Sequence, residues 1–421
     1  MFHVPNRTRS HTWVTTCAVL VLLSWPVPAA TPRAKPEEVG LSSERLHRIG
    51  ETIQRNIQAG QIASAVTLVA RRGRVAHLEA FGQLDVESKR PAATDSLFRI
   101  ASMSKPVTGV AVLMLLEEGK VRLGDPVSRF IPEFKGLQVS ADGAAPTPAK
   151  REITVGDLLT HTSGLVSGPA NAEIAKTLPG MALLTDTTRP QESLERYLPR
   201  IAAFPLSFQP GERYSYSPLA AFDVLGRIVE VASGQTFDRF LKARLFDPLG
   251  MTNTSFTNWR EQQPRLALIY RRTPAGPERF ANQNQLVSDV YFSGGAGLIS
   301  TAEDYFQFAQ MLLDRGRANG RVLLSPTTVD LMIAPHAPDT LPGSTRGGDF
   351  GLSVQVMRDP LALGQRVSSG SFGWGGAYGT NFWIDPKEKL VGVLMIQMQG
   401  GSAETRRDFQ TAVMQAIVES P

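Results

Sequence analysis

Ser102-Met103-Ser104-Lys105 is the one Ser-x-x-Lys in the chain, and it lies where a polar stretch gives way to a long apolar run. If residues 102–118 are helical, the three-residue spacing sets the Ser102 hydroxyl and the Lys105 amine on one face, within reach of each other. A serine hydroxyl is a weak nucleophile until an adjacent base takes its proton, and an amine shielded from water is such a base. Backbone N–H groups at a helix start have no intrahelical partner, so the Ser102 N–H is a candidate donor to a developing oxyanion. A chain of this length holds on the order of one Ser-x-x-Lys by chance. The alternative reading is therefore a buried helix whose first turn happens to be polar. The flanks fit a helix either way: Val107, Val110, Ala111, Met114 and Leu115 share a face, Pro106 falls near the first turn, and Gly119 stops the run.

The elements that must position this pair come from both ends of the chain. Residues 41–56 have helical periodicity, with Leu46, Ile49 and Ile53 on one side. Residues 62–70 and 75–81 read as a β-hairpin about Arg71-Arg72-Gly73-Arg74. A second hairpin is expected from residues 381–384 and 390–398, about Asp385-Pro386-Lys387-Glu388-Lys389. The last helix carries an apolar stripe of Phe409, Ala412, Val413, Ala416 and Ile417 that needs a sheet face to cover. Thr301-x-x-Asp304 reads as a capping box opening a helix ended by Gly316, and residues 137–151 and 336–348 read as surface loops.

Strands at both ends with helices between them predict an α/β (α+β) fold. One antiparallel sheet is built from N- and C-terminal segments and flanked by helices (about 31–120 and 290–421), with a mostly helical lobe at about 121–289 and the site in the cleft between.

Arg7 and Arg9, the apolar stretch from Trp13 to Trp25, and Val27-Pro28-Ala29-Ala30 predict an export signal over residues 1–30 and a periplasmic or secreted product. That apolar stretch is too short to span a bilayer, and no stable membrane span is expected after signal removal. Cys17, the single cysteine, lies inside the signal, so the mature chain should contain no disulfide. Signal removal also takes the formal charge from +5 to +3 (42 basic against 39 acidic residues). The basic residues are scattered, without a run interleaved with aromatics, which disfavours nucleic-acid binding. His47, His77, His161 and His336 are too dispersed for a metal site, so no metal and no cofactor are expected. No Gly-x-Ser-x-Gly elbow is present. Nothing in the sequence specifies an oligomer.

Four further segments turn the tetrapeptide into a constellation: Leu158-Leu159-Thr160-His161-Thr162-Ser163-Gly164-Leu165, Pro210-Gly211-Glu212-Arg213-Tyr214-Ser215-Tyr216-Ser217, Gly294-Gly295-Ala296-Gly297-Leu298-Ile299-Ser300 and Trp374-Gly375-Gly376-Ala377-Tyr378-Gly379. In this order they resemble the serine β-lactamase-like family, in its class C lactamase and family VIII carboxylesterase branch, from about Val39 onward. The resemblance implies an acyl-enzyme on Ser102, with Lys105 and Tyr216 sharing proton transfer. Tyr214 is the competing tyrosine. The resemblance also implies the N–H groups of Ser102 and Ala377 as the oxyanion hole and a structural role for His161.

Two departures bear on the substrate. Pro218 stands where the family's Tyr-x-Asn has its amide, so the hydrogen bond that would hold Lys105 or a substrate amide is expected to be missing. Trp374 stands where lactamases have the lysine of Lys-Thr-Gly, which can pair with a substrate carboxylate. With Gly375 and Gly376 it makes the pocket more apolar and similar to the esterase branch. The expected function is thus hydrolysis of a small carboxylic ester through an acyl-serine. Lactam or D-amino-acid peptide hydrolysis on the same residues, or a non-catalytic binding protein of the same fold, are the alternatives.

Overall fold

The computed structural model describes residue 1 and residues 31–141, 145–165, 192–257, 260–281, 283 and 288–420. The expected signal, with Cys17, lies outside the described residues apart from Met1. Helix α1 (Ser43–Gln58) opens on Ser42, whose hydroxyl accepts the Arg45 N–H, and buries Leu46, Ile49 and Ile53 as the periodicity predicts. The hairpin that follows pairs strand β1 (Ser64–Arg71) with β2 (Arg74–Asp85). Its two turn residues, Arg72 and Gly73, have φ of 54° and 73°. Positive φ at both central positions matches the right-handed twist of the flanking strands. A short β3 (Arg90–Pro91) closes that edge.

The C-terminal third supplies the rest of the sheet: β4 (Gly348–Phe350), β5 (Gln355–Met357), β6 (Phe372–Gly375), β7 (Asn381–Asp385) and β8 (Leu390–Met395). Spatial order is β4-β5-β6-β7-β8-β1-β2-β3, antiparallel throughout. The strand expected over 390–398 stops at Met395; Met398–Gln399 pairs separately, in parallel, with Tyr270–Arg271. Residues 137–151 also depart from a plain loop, since Gln138–Val139 pairs with Thr147–Pro148.

Side chains alternate across β1, so the sheet buries both faces. Val66, Leu68 and Ala70 join one core; Ala65 and Val69 join the other, with Leu46, Ile53, Trp383 and Leu394. The first core is built around helix α2 (Ser104–Glu117), which is buried on all sides from Ser104 to Leu115 rather than along one stripe. It packs against α3 (Ala220–Ser233), while α4 (Ala302–Leu313) lies on β8, β1 and β7. Thr301 caps α4 as expected, but the Asp304 carboxylate accepts from Asn253 and Thr254 instead of completing a capping box. On the opposite face α5 (Ala403–Met414) packs beside α1 through Phe409 and Val413. Each such side chain, fully buried, contributes roughly 1.5–3 kcal/mol.

Candidate active site

Ser102 sits just before α2 rather than in it. Residues Ala101–Met103 form a single 3₁₀ turn, and Ala101 has φ of 45°. A left-handed backbone at a residue with a β-carbon costs roughly 1–2 kcal/mol, and here it is spent directly before the nucleophile position. Surrounding bonds hold the turn in place. The Tyr305 hydroxyl donates to the Met103 carbonyl at 2.8 Å, and the Leu298 N–H donates to Ser104 Oγ at 3.1 Å.

Lys105 is fully buried. Its Nζ donates to Ser102 Oγ at 3.1 Å, to the Pro218 carbonyl at 2.6 Å and to the Gly295 carbonyl at 2.8 Å. An ammonium has three protons to give, and three acceptors take them. The bond expected to be missing at position 218 is therefore supplied by the main chain: proline lacks an amide side chain and an N–H but keeps its carbonyl. Gly295 reaches Lys105 because it has no side chain; a β-carbon there would stand 2.9 Å from Leu219 Cα. The buried Asp223 carboxylate accepts from the Gly295 N–H (3.0 Å), the Ser293 hydroxyl (2.7 Å) and the Tyr291 hydroxyl (2.8 Å), anchoring the loop that carries this carbonyl. Burial pushes the Asp223 carboxyl above its ordinary range, against those donors and the nearby Lys105 charge. The sequence signal for this anchor is an acid, Asp223, among the apolar residues of the first turns of α3.

Tyr216 Oη donates to Ser102 Oγ at 2.7 Å, so one oxygen receives both the amine and the phenol. Tyr214 packs instead against His161 and Phe350, with burial raising its phenol pKa. His161 fixes the tyrosine segment: its carbonyl accepts the Ser215 N–H, its Nδ1 accepts the Ser217 N–H at 3.2 Å, and its ring stacks 4.6 Å from that of Tyr216. Burial first, then the Lys105 charge, holds the imidazole well below its usual pKa. With Nδ1 accepting, the ring proton is on Nε2, and His161 makes no bond to Ser102.

Across the cleft, β6 ends in Trp374-Gly375, followed by Gly376 and Ala377. A β-carbon on Gly376 would stand 2.2 Å from Thr380 Oγ1 and 2.4 Å from the Ile100 carbonyl, so only glycine lets this edge come so close to the nucleophile turn. The Ala377 and Ser102 N–H groups make no protein hydrogen bond among the described residues, and both residues line a cavity of about 590 Å³. Tyr216, Trp374, Gly375 and Gly376 line it too. That volume suits a small-molecule ligand. Among the described residues no cluster of metal-ligating side chains occurs, and no helix is long and apolar enough to cross a membrane.

A hydroxyl touching both an amine and a phenol in a cleft between a sheet and a helical region defines a serine hydrolase of the β-lactamase/transpeptidase-like fold. The chain belongs to the beta-lactamase family, which it matches over residues 49–415. It is similar to Protein Rv1367c of Mycobacterium tuberculosis (35% identity, covering 82% of this chain and 88% of that one). Esterase EstB of Burkholderia gladioli is 32% identical, with 80% and 86% covered. Among solved structures, EstCE1, described as a hydrolase with promiscuous acyltransferase activity, superposes with a TM-score of 0.76 at 28% identity, over 88% of this chain and 99% of that one.

Proposed function

We propose that this serine hydrolase is exported and cleaves carboxylic esters through an acyl-Ser102 intermediate. The observation that carries the reading is the convergence of Lys105 Nζ and Tyr216 Oη on Ser102 Oγ, at 3.1 and 2.7 Å, beside an Ala377 N–H that has no partner among the described residues. With the pair one proton short, as Lys105 ammonium and Tyr216 phenolate, the bond between the two oxygens reverses: the Ser102 hydroxyl donates to Tyr216 Oη, and passing its proton there frees the oxygen to attack the ester carbonyl. The carbonyl oxygen becomes an oxyanion facing the N–H groups of Ser102 and Ala377, each worth about 3 kcal/mol by analogy with other oxyanion donors. Collapse expels the alcohol, which takes up the proton held by the pair. Water then enters, gives a proton to the same pair, and attacks the acyl carbon to release the acid and restore Ser102.

Tyr216 is the better-placed group to move that proton. Lys105 is engaged by two carbonyls, and as an ammonium it faces the negative charge passing between the Ser102 and Tyr216 oxygens. Ester rather than lactam hydrolysis is supported by Trp374, which cannot pair with a lactam carboxylate, and by the likeness to EstB and EstCE1. Export rests on the composition of residues 1–30 and is tested by sequencing the N-terminus of the fractionated mature protein, expected near Thr31.

A fluorophosphonate probe should label the purified protein at Ser102 and leave Ser102→Ala unlabelled. A short-chain 4-nitrophenyl ester should be turned over in preference to a cephalosporin. Absence of labelling, or equal ester turnover by Ser102→Ala, would overturn the assignment.

A further inference from the structure

Lys105 and Asp223 are both buried, and neither makes a direct ion pair among the described residues. Every bond of the ammonium goes to a neutral oxygen, on Ser102, Pro218 and Gly295. Every bond of the carboxylate comes from a neutral donor, on Tyr291, Ser293 and Gly295. A charge buried alone is costly, and a second charge of opposite sign nearby offsets that cost. Gly295 is the member the two share. Its carbonyl accepts from Lys105 Nζ at 2.8 Å and its N–H donates to Asp223 Oδ1 at 3.0 Å, so the backbone of one residue separates the charges. Burial raises the Asp223 carboxyl, and the donors and the Lys105 charge pull it back down.

The other charges around Asp223 are committed elsewhere. On α3 Arg227 pairs with Glu230 and with Glu195, and on the packed helix Val155–Leu159 Asp157 pairs with Arg151. The helices Leu194–Ile201 and Phe237–Leu241 meet α3 through Leu194 and Phe237, against Gly226. The remaining titratable neighbours of the two charges are Tyr291, with Tyr197 beside it at 5.5 Å between ring centroids, then Tyr216 and His161. Burial holds the Tyr291 phenol and the His161 imidazole neutral.

We propose that Asp223 is the counter-charge of Lys105 and, through Gly295, a positioning residue that keeps the proton of the Lys105/Tyr216 pair on the amine, leaving the phenolate as base. The proposal rests on the hydrolase reading above and adds a residue to it. Asp223 connects to the site on the amine side and makes no bond to Tyr216 or Ser102, so its charge favours ammonium with phenolate over amine with phenol. The same charge makes the pair hold its full complement of protons more firmly. Removing it therefore has two effects of opposite sense: the pair gives up a proton at lower pH, and the form left behind is a poorer base.

Asp223→Asn is the test, because an amide of the same shape accepts from Gly295 and Ser293 through its oxygen and donates to Tyr291. In kcat/KM for a 4-nitrophenyl ester the acid limb should move to lower pH by about half a unit or more, while the plateau falls about tenfold. An unmoved limb, a limb moved to higher pH or an undiminished plateau overturns the proposal; the first is what a merely structural role would give. The side-chain carboxyl carbon resonance of Asp223 in the wild type needs no variant and should report a carboxylate throughout the pH range of activity. A neutral acid there overturns the proposal as well. If no ester is turned over, the ester reading fails by itself, and the pH dependence of fluorophosphonate labelling at Ser102 takes the place of kcat/KM with the same expectations.

Discussion

Replacing Tyr216 by phenylalanine removes a single oxygen from the site. The ring contacts that hold the side chain, 4.6 Å to His161 and 5.7 Å to Trp374, do not involve that oxygen. The 2.7 Å bond to Ser102 does. Ser102 Oγ is then left with Lys105 Nζ at 3.1 Å, whose other two bonds run to the carbonyls of Pro218 and Gly295. A positioned base contributes about 10²–10⁴-fold, and each tenfold is about 1.4 kcal/mol, so the barrier to acylation should rise by about 3–5 kcal/mol. Stopped-flow release of 4-nitrophenol from a short acyl ester reads the acylation step directly, and a thermal melt run alongside reports the fold. The expected result is a burst slowed at least a hundredfold with an unshifted melt. A burst slowed less than tenfold in a normally folded variant would refute the reasoning and hand the base role to Lys105.

Gly376→Ala should cost about 1–3 kcal/mol of stability by overpacking and reduce kcat more than tenfold, because the added carbon meets Thr380 and Ile100 and pushes Ala377 away from Ser102. Gly124→Ala, with open space about it, is the control expected to melt like the wild type; equal behaviour of the two variants would sink the argument. Acid lability should trace in part to His77, whose buried ring has its pKa lowered from 6.5 to about 4. As pH falls below 6.5 the unfolded chain takes up a proton that the folded imidazole refuses, so stability drops until the folded ring also charges near pH 4. The full effect is about 3 kcal/mol. His77→Gln should remove that share and leave the share due to His161, as read by urea midpoints across the window; parallel pH profiles for the two proteins would contradict it.

The contact between Ser102 and Lys105 was legible because a three-residue spacing survives the detail of where the helix begins: the α-helix starts two residues late, behind the left-handed Ala101, yet Lys105 still reaches Ser102. The two hairpins and the outer helices were legible because period-two and period-3.6 patterns report burial directly. What escaped was carried by the main chain. Position 218 was read from its side chain, whereas the acceptor used is a carbonyl that every residue has. The Gly294–Gly297 segment was recognised without a task, since what it offers Lys105 is likewise a carbonyl. For α5 the sequence pattern reported the apolar stripe and gave no place to Arg406 and Arg407. Their place beside Gly375 follows from the packing of the last helix on the sheet, which no local pattern encodes.

The sheet's first strand lies at its interior, with Val66 opposite Met395 and Arg71 opposite Leu390. The buried Arg71 guanidinium also grips the carbonyls of Val39, Gly40 and Glu419, tying two segments that lie far apart in sequence to the same strand. The three side chains proposed to react thus depend on a sheet whose neighbouring strands lie far apart in sequence, a non-local pairing of the kind that slows folding.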